Sequence, residues 1–348
     1  MKILHVITSL EIGGAQRLLA DILPLQASCF DVSLLVYKRV YNDFEKTLEH
    51  SSVKIICLDV HNYYSPFVIF QLRSIFKDYD LVHAHLFPTL YWASLASRGL
   101  NLKLVYTEHS TSNSRRNKWY FRPIECFMYQ RYDRIISISQ QTQDVLSSWL
   151  RQIDERFVVI NNGIDTRKFA SVKTSVIPKS LIMTSRFASS KDHETVIRAM
   201  KYVDNDVILY FVGDGENRKN CEDLAQKLGE SHRIHFLGSR SDVAELISSS
   251  YIGIQSSNWE GFGLTAVEIM ACGKPIIASD VDGLKQIVEG AGLIFKKGDE
   301  KDLADKINLL LNNEDYYESV SIECKERALL FDIKIMADKY KEIYYEFT

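Results

Sequence analysis

The chain is 348 residues long, 46% hydrophobic and 25% charged, with a formal net charge of −3. That length is the usual span of two domains, and the apolar share is enough for two cores. Sixteen glycines and six prolines exclude a collagen-like or proline-rich disordered chain, and the small net charge excludes a protein that binds nucleic acid over its whole surface.

The N-terminal run MKILHVITSL is followed too soon by Glu11, Arg17 and Asp21 to be a signal peptide or a membrane span. No later segment approaches ~18 uncharged apolar residues. The chain is therefore expected in the cytoplasm, touching a membrane, if at all, from the side. Cys29, Cys57, Cys126, Cys221, Cys272 and Cys324 are scattered, with no metal-like spacing. They read as isolated core thiols rather than three disulfides.

In chain order, apolar β-branched runs predict strands at Ile3–Ile7, Val32–Val36, Val53–Cys57, Leu81–Ala84, Leu104–Thr107, Ile135–Ile138 and Val158–Ile160. The second half repeats the scheme at Leu181–Ser185, Val207–Val212, Ile234–Leu237, Ile252–Gln255 and Pro275–Ser279. Stretches with helical apolar spacing lie between them, which implies right-handed βαβ units and parallel sheets. A polar stretch at Ala170–Lys179, containing Pro178, marks the boundary between halves. Apolar residues at Ile335, Met336, Tyr340, Ile343 and Tyr344 predict an amphipathic C-terminal helix. Ligands of such sheets bind beyond the carboxyl ends of the strands, so the loops after the strands are where chemistry is sought.

In SLEIGGAQRLL, Gly13 and Gly14 follow the first strand and precede a helix, where a backbone can approach a phosphate or sugar. His83 and His85 share one side of a strand end, and His109 ends another. These suit either a sugar hydroxyl or phosphate, or a purely structural role; with no third or fourth ligand in view, no metal is expected. Residues 111–134 carry a net charge of +4 with interleaved aromatics. Arg115, Arg116, Lys118, Trp119 and Arg122 head this segment, which suits an anionic membrane interface or a solvated helix packed by its aromatics.

Three segments of the second half stand out. In SRFASSKDHET, Arg186 follows a strand and Lys191 precedes a helix begun by Asp192 or His193. Such a pair can hold a diphosphate by charge-assisted hydrogen bonds, or be ordinary surface charge. In WEGFGLTAVEIMACG, Glu260 precedes Gly261 and Gly263, and Glu268 lies in the helix beyond. Glycines ahead of a helix expose its N–H groups to an anion. The two carboxylates suit the two ends of one polar ligand; alternatively, one serves the helix dipole and the other is solvated. Gly213-Asp214-Gly215 has Arg218 in place of a third glycine, which argues against a nicotinamide dinucleotide site.

Taken together, ITSLEIGGAQRLL, VINNGIDTRKF, SRFASSKDHET, YFVGDGE, HFLGSRSDVAEL and SSNWEGFGLTAVEIMACGKPIIASD resemble, in order, retaining glycosyltransferases of family four. The resemblance implies the α/β GT-B fold: two Rossmann-like doubly wound parallel-sheet domains facing across a cleft. It places an acceptor-side domain at 1–168, a nucleotide-sugar domain at 169–330, and a helix at 331–348 returning to the first domain. Arg186 and Lys191 match the family's pair on the donor diphosphate. Glu260 matches the carboxylate on the donor sugar, and Glu268 the one on the ribose. Gly261, Phe262, Gly263 and Leu264 match the loop on the diphosphate or sugar. Gly13 and Gly14 match the loop near the reaction centre, and His109 the histidine reaching the donor sugar. The expected reaction moves a hexose or N-acetylhexosamine, from UDP by preference, to a growing or lipid-linked surface glycan at the inner face of the cytoplasmic membrane. It retains configuration and uses no metal, cofactor or protein nucleophile. A nucleotide-sugar epimerase of the same fold and a catalytically silent subunit are the rival readings.

Overall fold

The computed structural model describes every residue except Ile12 and Ser112, so these members of the glycine-loop and basic-aromatic segments lie outside the described residues. The chain divides into two compact units, Met1–Gly163 with Ile333–Thr348, and Ile164–Asp332. The first of these units breaks off at Gly163, and the short helix that follows belongs to the second.

The first unit runs β1 (Lys2–Ile7), α1 (Gly14–Gln26), β2 (Asp31–Val36), α2 (Asp43–Glu49), β3 (Lys54–Cys57), α3 (Val68–Phe76), β4 (Leu81–His85), α4 (Thr89–Ala96), β5 (Lys103–Glu108), α5 (Phe121–Tyr129), β6 (Arg134–Ser137), α6 (Gln140–Leu150) and β7 (Phe157–Val159). Its seven strands are parallel in the order β3-β2-β1-β4-β5-β6-β7. Alternation along each strand sends Ile3 and Ile7 to one face and Leu4 and Val6 to the other. The second unit runs α7 (Thr166–Ala170), β8 (Ser180–Thr184), α8 (His193–Ala199), β9 (Ile208–Val212), α9 (Arg218–Lys227), β10 (Ile234–Phe236), α10 (Val243–Ser249), β11 (Ile252–Gln255), α11 (Leu264–Ala271), β12 (Ile276–Ser279), α12 (Lys285–Val288), β13 (Leu293–Phe295), α13 (Glu300–Leu311) and α14 (Glu314–Leu329). Its parallel order is β10-β9-β8-β11-β12-β13. The chain then returns as α15 (Ile333–Tyr345), which packs on α1 and completes the first unit's core with Met336, Tyr340 and Tyr344.

Every strand expected from the sequence is present, with ends within one residue of the expectation. The sequence reading omits β13, a three-residue strand that pairs with β12. In both sheets the strand order reverses beside the first strand of the unit: β1 lies between β2 and β4, and β8 between β9 and β11. That reversal leaves a crevice at the carboxyl ends where ligands of doubly wound sheets bind. Gly253 in β11 allows the close seating of α11, since a Cβ there would come within 2.3 Å of Ile269. No helix among the described residues is long and apolar enough to cross a membrane.

Candidate active site

In the second unit the reversal point brings Lys191 and Glu260 together. The loop after β8 and the loop after β11 are joined by backbone: Asp192 N–H donates to Ser256 O at 3.1 Å, and Asn258 N–H donates to Ser190 O at 2.8 Å. This short antiparallel bridge centres on Lys191 and Ser257. Lys191 Nζ donates to Glu260 Oε2, and also reaches Ser257 Oγ at 3.4 Å. Both side chains are largely covered, the lysine 16% and the glutamate 19% exposed. Asp192 caps α8 by accepting from Thr195 N–H at 3.1 Å, which fixes where the loop ends. His193 is buried, stacked on Phe187 at 4.0 Å and bonded to Ser185 Oγ at 2.9 Å. Burial, then the neighbouring Lys191 charge, pushes its imidazole down to about 3.

Arg186 stands apart from the lysine pair. Its side chain is 75% exposed and its partner is Glu216 at 3.6 Å. The loop beneath it is held by Gly213 and Gly215, whose φ values are +137° and +153°. A Cβ would come within 2.1 Å of Ser185 O at Gly213 and within 2.4 Å of Phe187 O at Gly215. These glycines, read in the sequence only as a failed dinucleotide signature, therefore shape the Arg186 loop.

Gly263 takes φ +86° as the residue before α11, and a Cβ there would sit 2.6 Å from Leu284. Gly263 thus turns the chain into the helix that Leu264 begins, and no side chain caps its N-terminus. Phe262 is buried edge-on against Phe331 with centroids 5.6 Å apart. Glu260 lies in the loop rather than in the helix, and Glu268, inside α11, is buried. The solvated-carboxylate alternative is therefore excluded for Glu268. A cavity of about 380 Å³ opens on the other side of Lys191, lined by Ser189, His193, Asn217, Asn258 and Glu300 but by neither Glu268 nor Arg186.

The first unit's candidates lie at the carboxyl ends of β1, β4 and β5. Gly13 is in ordinary extended conformation at φ −176°, and the nearest obstacle to a Cβ is the flexible end of Gln16. Its backbone does not demand glycine, in contrast to the sequence reading; Gly14 simply opens α1. His83 and His85 do not reach solvent: both are buried, together with His5, on the face covered by α1 and α15. His5, which the sequence reading missed, pairs with His83 in register. The nitrogens of His5, His83 and His85 approach within 4.8 Å of one another, so a third imidazole does accompany the two expected. They are engaged with protein partners: His5 Nδ1 with His85 Nε2 at 2.9 Å, and His83 with Tyr344 OH at 2.6 Å and Thr107 Oγ1 at 2.7 Å. His109, just past β5, joins through Nε2 to His85 Nδ1 at 3.1 Å. Burial pushes His5 and His109 down to about 3 and holds His83 and His85 well below the ordinary histidine range.

The basic segment needs the largest correction. Arg115 and Arg116 do not face outward. Arg115 Nε donates to buried Glu125 at 2.7 Å and lies 3.8 Å over the Phe87 ring. Arg116 donates to buried Glu108 at 2.6 Å, which also accepts from Tyr129 OH at 2.6 Å. Carboxylates buried beneath the segment draw the two guanidinium groups inward. Arg122 is half-buried. What remains outside is Lys118, Trp119 (82% exposed), Tyr120, Ile124 and Phe127.

Two family models span these units: Glycosyltransferase Family 4 matches residues 12–168, and Glycosyl transferases group 1 matches 166–327. An uncharacterised glycosyltransferase of Methanocaldococcus jannaschii is 29% identical over 279 residues, covering 77% of this chain and 76% of its own. The UDP-Gal:alpha-D-GlcNAc-diphosphoundecaprenol alpha-1,3-galactosyltransferase of Escherichia coli is 23% identical, covering 99% and 96%. The crystal structure of Anabaena Alr3699/HepE in complex with UDP and glucose superposes with a TM-score of 0.87 at 23% identity, covering 99% of this chain and all of that one. The fold is that of the GT-B glycosyltransferases. The chain belongs to the glycosyltransferases of the family 4 type.

Two outcomes follow from the buried charges. Arg116→Ala leaves Glu108 buried without its cation and is expected to cost about 3–5 kcal/mol, read as a lower urea midpoint with unchanged slope. The neutral histidines make stability acid-sensitive. Their folded pKa values lie below the unfolded value near 6.5, so the unfolded chain takes up protons first, and stability present at neutral pH is lost as pH falls below about 6.5. Between pH 7 and 5.5 each of His5, His83 and His85 is expected to cost about 1 kcal/mol. Urea unfolding at the two pH values checks this, and an unchanged midpoint contradicts it.

Proposed function

We propose that the protein is a retaining, metal-independent hexosyltransferase. It moves a hexose or N-acetylhexosamine from a UDP-sugar to a lipid-linked or growing surface glycan. The observation that carries this reading is the joined pair of loops after β8 and β11, which set Lys191 against Glu260 beside the N-terminus of α11. A cation and a carboxylate so placed suit adjacent parts of one donor. Lys191 and Arg186 take the diphosphate, Glu260 takes sugar hydroxyls, and Glu268 takes the ribose. The backbone of Gly261, Phe262, Gly263 and Leu264 offers N–H groups and the positive end of the helix dipole to the same anion. For His109, Gly13 and Gly14 of the first unit, the resemblance in sequence is what supports a role toward the donor. The similarity to an enzyme whose name specifies a UDP-sugar and a diphosphoundecaprenol acceptor, and to a fold solved with UDP, supports the choice of substrates.

Chemically, such a site works by positioning and by stabilising the departing diphosphate with fixed cations and N–H dipoles. The glycosidic C–O bond to the diphosphate breaks as the acceptor oxygen bonds to the same face of C1. The acceptor proton passes to the leaving phosphate oxygen. In the free protein Glu260 occupies Lys191, so the arriving diphosphate exchanges one anionic partner of the lysine for another and releases Glu260 toward the sugar.

A screen of UDP- and GDP-sugars with a lipid-linked acceptor, read by nucleotide release, is expected to single out one UDP-sugar. Lys191→Ala is expected to lower kcat about 10²–10³-fold. Epimer formation from the UDP-sugar without acceptor would overturn the transferase, and an unchanged glycan product from Lys191→Ala and Glu260→Ala would overturn an active enzyme altogether.

We propose membrane contact for the exposed side of α5 and the turn before it, where Trp119, Tyr120, Ile124 and Phe127 stand exposed and Lys118 is exposed with them. Trp119→Ser with Phe127→Ser is expected to weaken sedimentation with phosphatidylglycerol vesicles without lowering the melting temperature. Unchanged sedimentation refutes the assignment.

A further inference from the structure

The proposed reaction uses His109 but leaves the imidazoles behind it without a task. Parallel pairing places His5 beside His83 on neighbouring strands, and His85 beside Thr107. His5, His83 and His85 are buried on the α15 face of the sheet, and His109, half-buried, stands just past the end of β5. From the edge inward, His109 Nε2 meets His85 Nδ1 at 3.1 Å, and His85 Nε2 meets His5 Nδ1 at 2.9 Å. His5 Nε2 faces Tyr344 OH at 3.5 Å, and that hydroxyl meets His83 Nδ1 at 2.6 Å. His5 and His85 are also stacked, with ring centroids 5.2 Å apart and planes 11° from parallel. Among the described residues, His109 Nδ1 has no protein partner.

A neutral imidazole donates from one nitrogen and accepts at the other. In a single file the donors therefore run in one direction, and reversing one ring reverses its neighbours. A lone surface histidine exchanges between tautomers; one tied into such a file does not do so alone. We propose that His5 and His85 are positioning residues for His109, holding it as a neutral imidazole of one tautomer with only Nδ1 offered to a ligand, and that Tyr344 of α15 closes the inner end of the file. This rests on the reading of His109 as a donor-sugar residue and narrows it. A neutral ring of fixed tautomer fits an uncharged sugar hydroxyl, whereas a protonated one would suit a phosphate. The other titratable groups against the file are His83 on β4 and Tyr340 and Tyr344 on α15, with Gln26 of α1 beside His5 and Tyr344.

The test is ¹⁵N-histidine NMR of the ligand-free full chain between pH 5 and 8, with the His109 signals assigned by His109→Gln. The wild type is expected to show His109 as one unaveraged neutral tautomer that does not titrate. His85→Leu, and the more remote His5→Phe, are expected to bring tautomer averaging and titration near the ordinary value of about 6.5. In turnover assays the same variants are expected to lose roughly ten- to a hundredfold in kcat, with KM for the nucleotide sugar unchanged. His85→Gln, whose amide keeps a donor and an acceptor, is expected to restore part of the loss. Should either core variant fail to fold, the wild-type spectrum still decides. An averaged or titrating His109 in the wild type, or an unchanged His109 in a folded His5→Phe or His85→Leu chain, overturns the proposal. A fixed His109 that His5→Phe releases, with full turnover retained by His109→Gln, upholds the file and instead removes His109 from the sugar site.

Discussion

The second unit's site depends on one ion pair and the backbone that carries it. Lys191 and Glu260 come from loops far apart in sequence, and they meet because β8 and β11 are adjacent where the strand order reverses. The two main-chain hydrogen bonds flanking the pair make the contact a property of the sheet rather than of two flexible side chains. A lysine held in this way has its charge met by Glu260. The pair therefore ties the two loops together through side chains as well as backbone.

The first unit solves a different problem with different groups. His5, His83 and His85 on the sheet and Tyr340 and Tyr344 on α15 are packed within a largely apolar core, with His109 at its margin. Burial keeps the rings uncharged, and hydrogen bonds among themselves satisfy most of their polar atoms without any carboxylate. On the opposite face the same unit buries carboxylates and meets them with arginines, Arg116 on Glu108 and Arg115 on Glu125. One face is thus polar but neutral and the other is charged but paired.

Much of this was legible in the sequence. Continuous apolar runs located the parallel strands because both faces of each sheet are covered. The helix start at His193 and the turn into α11 followed from Asp192 and Gly263. What was not legible required partners distant in sequence. His5 looks like an interruption of an apolar strand until β1 is laid beside β4. Arg115 and Arg116 read as surface charge because nothing near them in sequence shows that Glu108 and Glu125 are buried. Gly13 was read as a place where backbone could approach a ligand, yet its conformation is ordinary, whereas Gly213 and Gly215, set aside for a missing third glycine, have backbones that no side chain could share. β13 was missed because three residues are too short to establish a period.

The division of the chain also bears on how the protein is made. The first unit takes its last helix from residues 333–345, after the whole second unit has been threaded. On the ribosome, therefore, the first unit's sheet waits with the face beneath α1 only half covered, and the buried histidines have no Tyr340 or Tyr344 against them. The second unit, continuous in sequence, can finish first. α15, synthesised after the whole second unit, is thus the part that seals the earliest strands, so that a nascent chain stopped short of it holds the second unit entire and the first unsealed.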